Sequence, residues 1–331
     1  MQEQKPSTLT VIRYQLSRPS VMNWSYPIMV SSVMTAMIFA VRCLCTFTGF
    51  PIPATSVIGN AALNILVTLL ALVLPAALLS NGLSDRIVGR FTGAGSLILA
   101  FCSGIPLMLI TTATYNLSAW VILRFGTKMP FPFLFTDYAT SSAAGEVLSV
   151  MSDTVLPAAG ASLFFFGLMW SRFRSKERFA GYAIIAFAYM MFSLDAVSAL
   201  GLLITGWWCC FLRTKTDNIA GPFVCLVAAR LSQYLFTGTL GKVDILSIQT
   251  YSDIDSVFFY SSLPAAFMGL VLLSFFMKTL NSFYDSFTDE EEDSRYDNSI
   301  PAFDKGINLT IIVSGAIFFT LWILMLKGVH L

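Results

Sequence analysis

The chain has 331 residues, of which 56% are hydrophobic and 12% charged, with a formal net charge of +1. A soluble domain carries about a quarter charged residues, so at a mean hydropathy of +0.73 this chain is solvated largely by lipid. The near-zero charge excludes a polyelectrolyte surface, and with it nucleic acid as a partner. The one histidine, His330, lies next to the C-terminus, which removes Ser-His, Cys-His and multi-histidine metal chemistry. Six cysteines (Cys43, Cys45, Cys102, Cys209, Cys210, Cys225) lie in or beside apolar runs without ligand spacing, and are expected as buried free thiols. No metal or cofactor is implied.

In chain order, residues 1–25 form a polar tail with Lys5, Arg13 and Arg18, too long before the first apolar run for a cleaved signal, so the first helix is expected to stay as an anchor. A single transmembrane domain follows, 26–331. A bilayer-spanning helix needs about 20 mostly apolar residues; the candidates are roughly 27–47, 59–80, 97–123, 151–171, 179–197, 199–213, 220–240, 257–280 and 306–328. The short 199–213 stretch leaves eight or nine spans, and the fold class is an all-α polytopic membrane protein. Basic residues gather in alternate loops: the tail, Arg86 and Arg90, Arg172 to Arg178, then Arg213 and Lys215. The positive-inside rule makes these cytoplasmic. Nine spans then put the C-terminus outside; eight flip one end.

Three loops stand out. Residues 125–150 are long enough for an interfacial helix, and 242–256, with Asp244, Asp253 and Asp255, face outside. The cytoplasmic loop 282–305 carries the acidic run Asp289 to Asp293, whose ordinary reading is a solvated loop. Arg42 and Arg124 are expected to snorkel to the outer interface.

The mid-chain run Pro157-Ala-Ala-Gly-Ala-Ser-Leu-Phe-Phe-Phe-Gly167 is followed by the basic loop Arg172, Arg174, Lys176, Arg178 and an alanine-rich helix. Further on come Gly201 and Gly206, the turn Thr216-Asp217-Asn218, and Leu226 four residues before Arg230. In order and spacing this resembles the CPBP family: type II CAAX prenyl endopeptidases, bacteriocin-processing and self-immunity (Abi) proteins. That family reads Pro-Ala-x-x-Glu-Glu-x-x-Phe-Arg-Gly, then Phe-x-x-x-His, then His-x-x-x-Asn. Pro157, Ala158, Phe165 and Gly167 keep the frame, while the glutamates fall on Ala161 and Ser162 and the arginine on Phe166. Met191 and Asp195 take the second motif; Leu226 and Arg230 take the third. The well-matched core is about 150–240.

The resemblance implies a CAAX-protease-like helical bundle in a bacterial plasma membrane. Activity is not implied, because a general base must titrate within reach of its water and an oxyanion needs fixed donors. Alanine, leucine and phenylalanine supply neither, and Ser162 has no visible base. The catalytic residues are therefore expected to be absent, leaving a relic cavity lined by Ser162, Asp195, Leu226 and Arg230, with an Asp195–Arg230 ion pair across it. The expected role is an inert scaffold or regulator that binds another membrane or envelope protein. The alternatives are a transporter or permease subunit with a polar path at Asp195 and Arg230, and, last, an active intramembrane endopeptidase.

Overall fold

The structure is a computed structural model. It describes residues 23–48, 57–80, 84–90, 93–125, 130, 132–133, 143–173, 177–236, 240–244, 248, 251, 254–284 and 308–328. Each of the nine apolar segments contains a helix, and among the described residues there is no strand and one β-bridge, antiparallel, between Gly89 and Asn218. We number the helices α1 (Ser25–Phe47), α2 (57–79), α3 (Ser84–Val88), α4 (Ala94–Cys102), α5 (Gly104–Phe125), α6 (143–172), α7 (Arg178–Ser193), α8 (Ala199–Thr216), α9 (Ala220–Leu235), α10 (Ser256–Tyr284) and α11 (Leu309–Leu326). Six stretches are long and apolar enough to cross a membrane: Ser25–Cys45, Ala61–Leu79, Ala94–Phe125, Val147–Arg172, Ser256–Ser282 and Leu309–Leu326. The helices α7, α8 and α9 pack among them.

The middle of the bundle is α6. Its apolar window is 72% buried, against 17% for α10 and 22% for α11, so α6 is enclosed by protein and the other two face outward. The reason is compositional: Phe164, Phe165, Phe166, Leu168 and Met169 have no polar side and lie wholly in the core. Around α6, small residues set the closest crossings. A Cβ on Gly160 would lie 2.5 Å from the Thr68 methyl of α2. One on Gly206 of α8 would lie 2.7 Å from Ala186 Cα of α7. Without a hydrophobic drive between helices in lipid, such backbone approach is what dispersion packing requires.

Two reversals are built the same way. Leu194 (φ 47°) ends α7 and Asp217 (φ 45°) ends α8, both left-handed. In each case the next Asx carboxyl or amide then caps the following turn: Asp195 Oδ1 accepts from Val197 N (3.0 Å) and Ser198 N (3.2 Å), and Asn218 Oδ1 from Ala220 N (2.7 Å). A left-handed leucine costs about 1–2 kcal/mol, offset by the complete burial of its side chain.

Most of the 125–150 segment, expected as an interfacial helix, lies outside the described residues (126–129, 131 and 134–142), while Ala143–Val150 is helical and runs straight into the widened turn Met151–Val155 and on through α6. Arg42 is corrected: it is 8% exposed, lies over the Phe133 ring at 5.3 Å and donates to the Phe133 carbonyl instead of reaching for an interface. Arg124 is exposed and lies over the Tyr251 ring. All six cysteines are free thiols, but only Cys209, Cys210 and Cys225 are buried. The tail residues 1–22, the acidic run 289–293 and His330 lie outside the described residues.

Candidate functional site

Ala161, Phe166 and Leu226 belong to one buried apolar cluster at the centre of the bundle. The Phe165 ring meets Tyr189 at 5.3 Å and Phe192 at 5.8 Å; Phe166 meets Tyr189 at 5.8 Å. Phenylalanine at 166 thus fills space with ring edges and brings no proton-transfer group. Ser162 is buried beside this cluster, and its hydroxyl has no hydrogen-bond partner among the described residues. With neither base nor orienting group on it, that hydroxyl is a poor nucleophile.

Asp195 is not part of this cluster. Helix α7 stops at Ser193, so Asp195 lies beyond the helix end, and its carboxylate is committed to the Val197 and Ser198 amides. The expected Asp195–Arg230 ion pair does not form; among the described residues the resolved ion pair is Arg213–Asp217. The sequence placed Asp195 mid-span because nothing announces a helix end at Leu194, where glycine is the usual residue. Asp195→Ala is therefore expected to cost about 1 kcal/mol through the lost cap. Thermal unfolding should show that loss adding to the effect of Arg230→Ala, as for independent sites.

Asp153, to which the sequence reading gave no role, lies in the turn that packs against α9, the helix of Arg230. Asp153 is 5% exposed, in the widened turn Met151–Val155 of α6. Asn64 Nδ2 of α2 donates to its Oδ1 at 2.5 Å, Ser152 Oγ to Oδ1 at 2.9 Å and Ser149 Oγ to Oδ2 at 3.0 Å. Such turns concentrate at functional sites, and here the hydroxyls of Ser149 and Ser152 and the Asn64 amide converge on the carboxylate. Hydrogen bonds to a charged group contribute about 1.5–3 kcal/mol each, which offsets the burial of the carboxylate. The signal was available: an aspartate flanked by Ser149, Ser152 and Thr154 in an apolar run, with Asn64 in another. Asn64→Leu should lower stability by about 2 kcal/mol. In the Asp153→Leu background the same change should cost much less in detergent unfolding, since both act on one network.

Arg230 shares a face of α9 with Leu226, as their four-residue spacing requires. Leu226 packs in the core with α6 while Phe223 and Val227 lie against it, so Arg230 comes one turn further along, where α9 meets the widened turn. The half-buried guanidinium makes no hydrogen bond or ion pair among the described residues, and the turn that carries Asp153 packs against its helix. A lone charge in the hydrocarbon costs about 2.5–3.5 kcal/mol on insertion scales.

The opposite end of the bundle holds a different arginine cluster. Arg213 donates from Nε to the Phe166 carbonyl (3.2 Å) and from Nη2 to the Arg86 carbonyl (2.7 Å). Arg172 Nη2 reaches the Leu79 carbonyl (2.6 Å) and Arg86 Nη2 the Phe173 carbonyl (2.9 Å). The Leu79, Arg86 and Phe173 carbonyls lie at helix ends, where the macrodipole favours positive charge, while Phe166 lies inside α6. These arginines are structural ties between α2, α3, α6 and α8.

Among the described residues no group of three or more His, Cys, Asp or Glu side chains could hold a metal ion. No protein-family model matches the chain, and no curated protein matches it.

Proposed function

We propose that this chain is a catalytically inert, CPBP-like integral membrane protein that acts as a scaffold or regulator for another membrane or cell-envelope protein. The observation that carries this reading is the chemistry of the relic positions. Ala161, Phe166 and Leu226 are sealed in an apolar core, Ser162 has no base, and Asp195 is spent on a cap. Nothing at these positions moves a proton or fixes an oxyanion. A protein that keeps the frame without the chemistry has its helix faces to offer, and α10 and α11 present Phe267, Met268, Phe275, Ile312 and Phe319 outward.

Eight or nine crossings of a bacterial plasma membrane complete the proposal. The arginine-rich end lies in the cytoplasm, by the positive-inside rule. Single cysteines placed at Phe267 and Phe319 test it by cross-linking in intact membranes. A single adduct of fixed mass, carrying one identified membrane protein at one-to-one stoichiometry, supports the scaffold. A lipid-only environment at both positions contradicts it.

A transporter reading has one observation in its favour, a buried Asp153 in the turn of α6 that packs against α9, whose Arg230 makes no hydrogen bond among the described residues. It rests on Asp153, since Asp195 is committed elsewhere. Solute uptake by proteoliposomes that is abolished by Asp153→Asn would replace the scaffold account with this one.

A further inference from the structure

Asp153 is a carboxylate inside a membrane-spanning helix, 5% exposed, with no ion pair among the described residues. A buried charge is costly unless an opposite charge accompanies it. Helices α2 and α9 pack on its turn, and neither supplies one by contact. Helix α2 has no titratable side chain from Val57 to Val67. Helix α9 carries Arg230, with Cys225 five residues before it and Tyr234 four after, and Arg230 makes no ion pair among the described residues. On α6 itself the preceding titratable residue is Glu146, seven positions earlier. What surrounds Asp153 is a set of polar side chains from two helices. Ser152 Oγ lies 2.9 Å from Oδ1, Ser149 Oγ 3.0 Å from Oδ2, and Asn64 Nδ2 of α2 2.5 Å from Oδ1. All four side chains are more than nine-tenths buried. The same turn holds the Thr154 hydroxyl, 1% exposed and without a hydrogen-bond partner among the described residues.

We infer that this cluster binds a small monovalent cation, a sodium ion or a proton, at the Asp153 carboxylate. This goes beyond the scaffold reading and does not depend on it. The groups around the carboxylate can turn from donor to acceptor. Ser152 Oγ also has the Ser149 carbonyl at 3.2 Å, so its hydrogen can leave the carboxylate and its lone pairs can face a cation. The Asn64 amide presents its oxygen in place of its NH2 after a half-turn. Oδ2 accepts one hydrogen bond where Oδ1 accepts two, and is the less occupied oxygen. Oxygen donors suit a hard ion, and a single carboxylate balances one positive charge, whereas a divalent ion would leave one uncompensated. At hydrogen-bond spacing a proton enters without displacing an oxygen, and a sodium ion parts them slightly. The site is also within reach of a membrane surface: Asn64 lies seven residues beyond Val57 at the start of α2, or about 10 Å along the axis.

The test uses the full chain in mild detergent. Thermal unfolding is followed against sodium chloride and against choline chloride at equal ionic strength, and carboxyl protonation is read by infrared difference spectroscopy. A sodium site gives a saturable rise in unfolding temperature that choline does not reproduce and that Asp153→Asn abolishes. Ser149→Ala, which keeps the charge and removes one oxygen, should raise the half-saturating sodium concentration several-fold. A merely structural network would not distinguish sodium from choline. A proton site gives no sodium response, but a protonated-carboxyl stretch at neutral pH that disappears in Asp153→Asn and shifts in Ser149→Ala. Should Asp153→Asn fail to fold, Ser149→Ala alone decides, through the half-saturating concentration or the band position. A sodium response or a carboxyl band that is unchanged in either variant overturns the inference. So does the absence of both signals in the wild type.

Discussion

Arg213→Met is expected to lower stability by about 2–6 kcal/mol, the cost of leaving the Phe166 and Arg86 carbonyls without their charged donor. Arg213 is 1% exposed and ties together three chain segments through Phe166 O, Arg86 O and Asp217 Oδ1. Methionine fills similar volume but donates nothing, leaving buried carbonyls unpaired at about 1–3 kcal/mol each. The ion pair itself contributes little, because the Asp217 side chain is 49% exposed and solvent screens it. Asp217→Asn should therefore change stability by less than about 1 kcal/mol. Thermal unfolding in detergent reads both, with Arg213→Lys as the variant to use if methionine prevents folding. Equal effects of Arg213→Met and Asp217→Asn would show that the carbonyl ties are unimportant.

Gly89→Ala should be comparably damaging for a different reason. Gly89 has φ 76°, and a Cβ there would lie 1.8 Å from the Asp217 carbonyl oxygen. That oxygen accepts from Arg90 N at 2.8 Å, and Ile219 N donates to Val88 O at 3.1 Å, so the clash pushes apart the contact between the α3 turn and the α8–α9 reversal. The left-handed strain of about 1–2 kcal/mol adds to two displaced hydrogen bonds of about 1 kcal/mol each, for a loss of about 3–4 kcal/mol. Two glycines calibrate the measurement. Gly93 has φ 117° but open space around it, so Gly93→Ala should show the strain alone. Gly315 is helical with nothing within 4 Å, and Gly315→Ala should be neutral or stabilising by up to about 1 kcal/mol. A ranking other than Gly89, Gly93, Gly315 contradicts the packing.

The apolar segments were legible because hydropathy over a span is a sum, insensitive to where a helix caps. Ends were harder. Leu194 stops α7 without a glycine, which moved Asp195 from a supposed pore-lining position into a turn. The Leu226–Arg230 face could be read, since four-residue spacing fixes it within one helix. The Asp153–Asn64 pair on the far side of that helix contact could not, because the packing of α2, α6 and α9 brings it together. Arg42 illustrates the same limit. Its place late in α1 suggests snorkelling, but a carbonyl and a ring from residue 133 capture it first. Local signals predict local geometry, and charges in a membrane find partners across it.

The inert core is tested most directly by incubating the purified, reconstituted chain with prenylated and unprenylated peptide libraries and reading cleavage by mass spectrometry. The account predicts no cleavage above a protein-free control, and identical traces for wild type and Ser162→Ala. Cleavage by wild type that disappears in Ser162→Ala, or in Asp153→Asn, would mean that a nucleophile or base operates in this bundle after all.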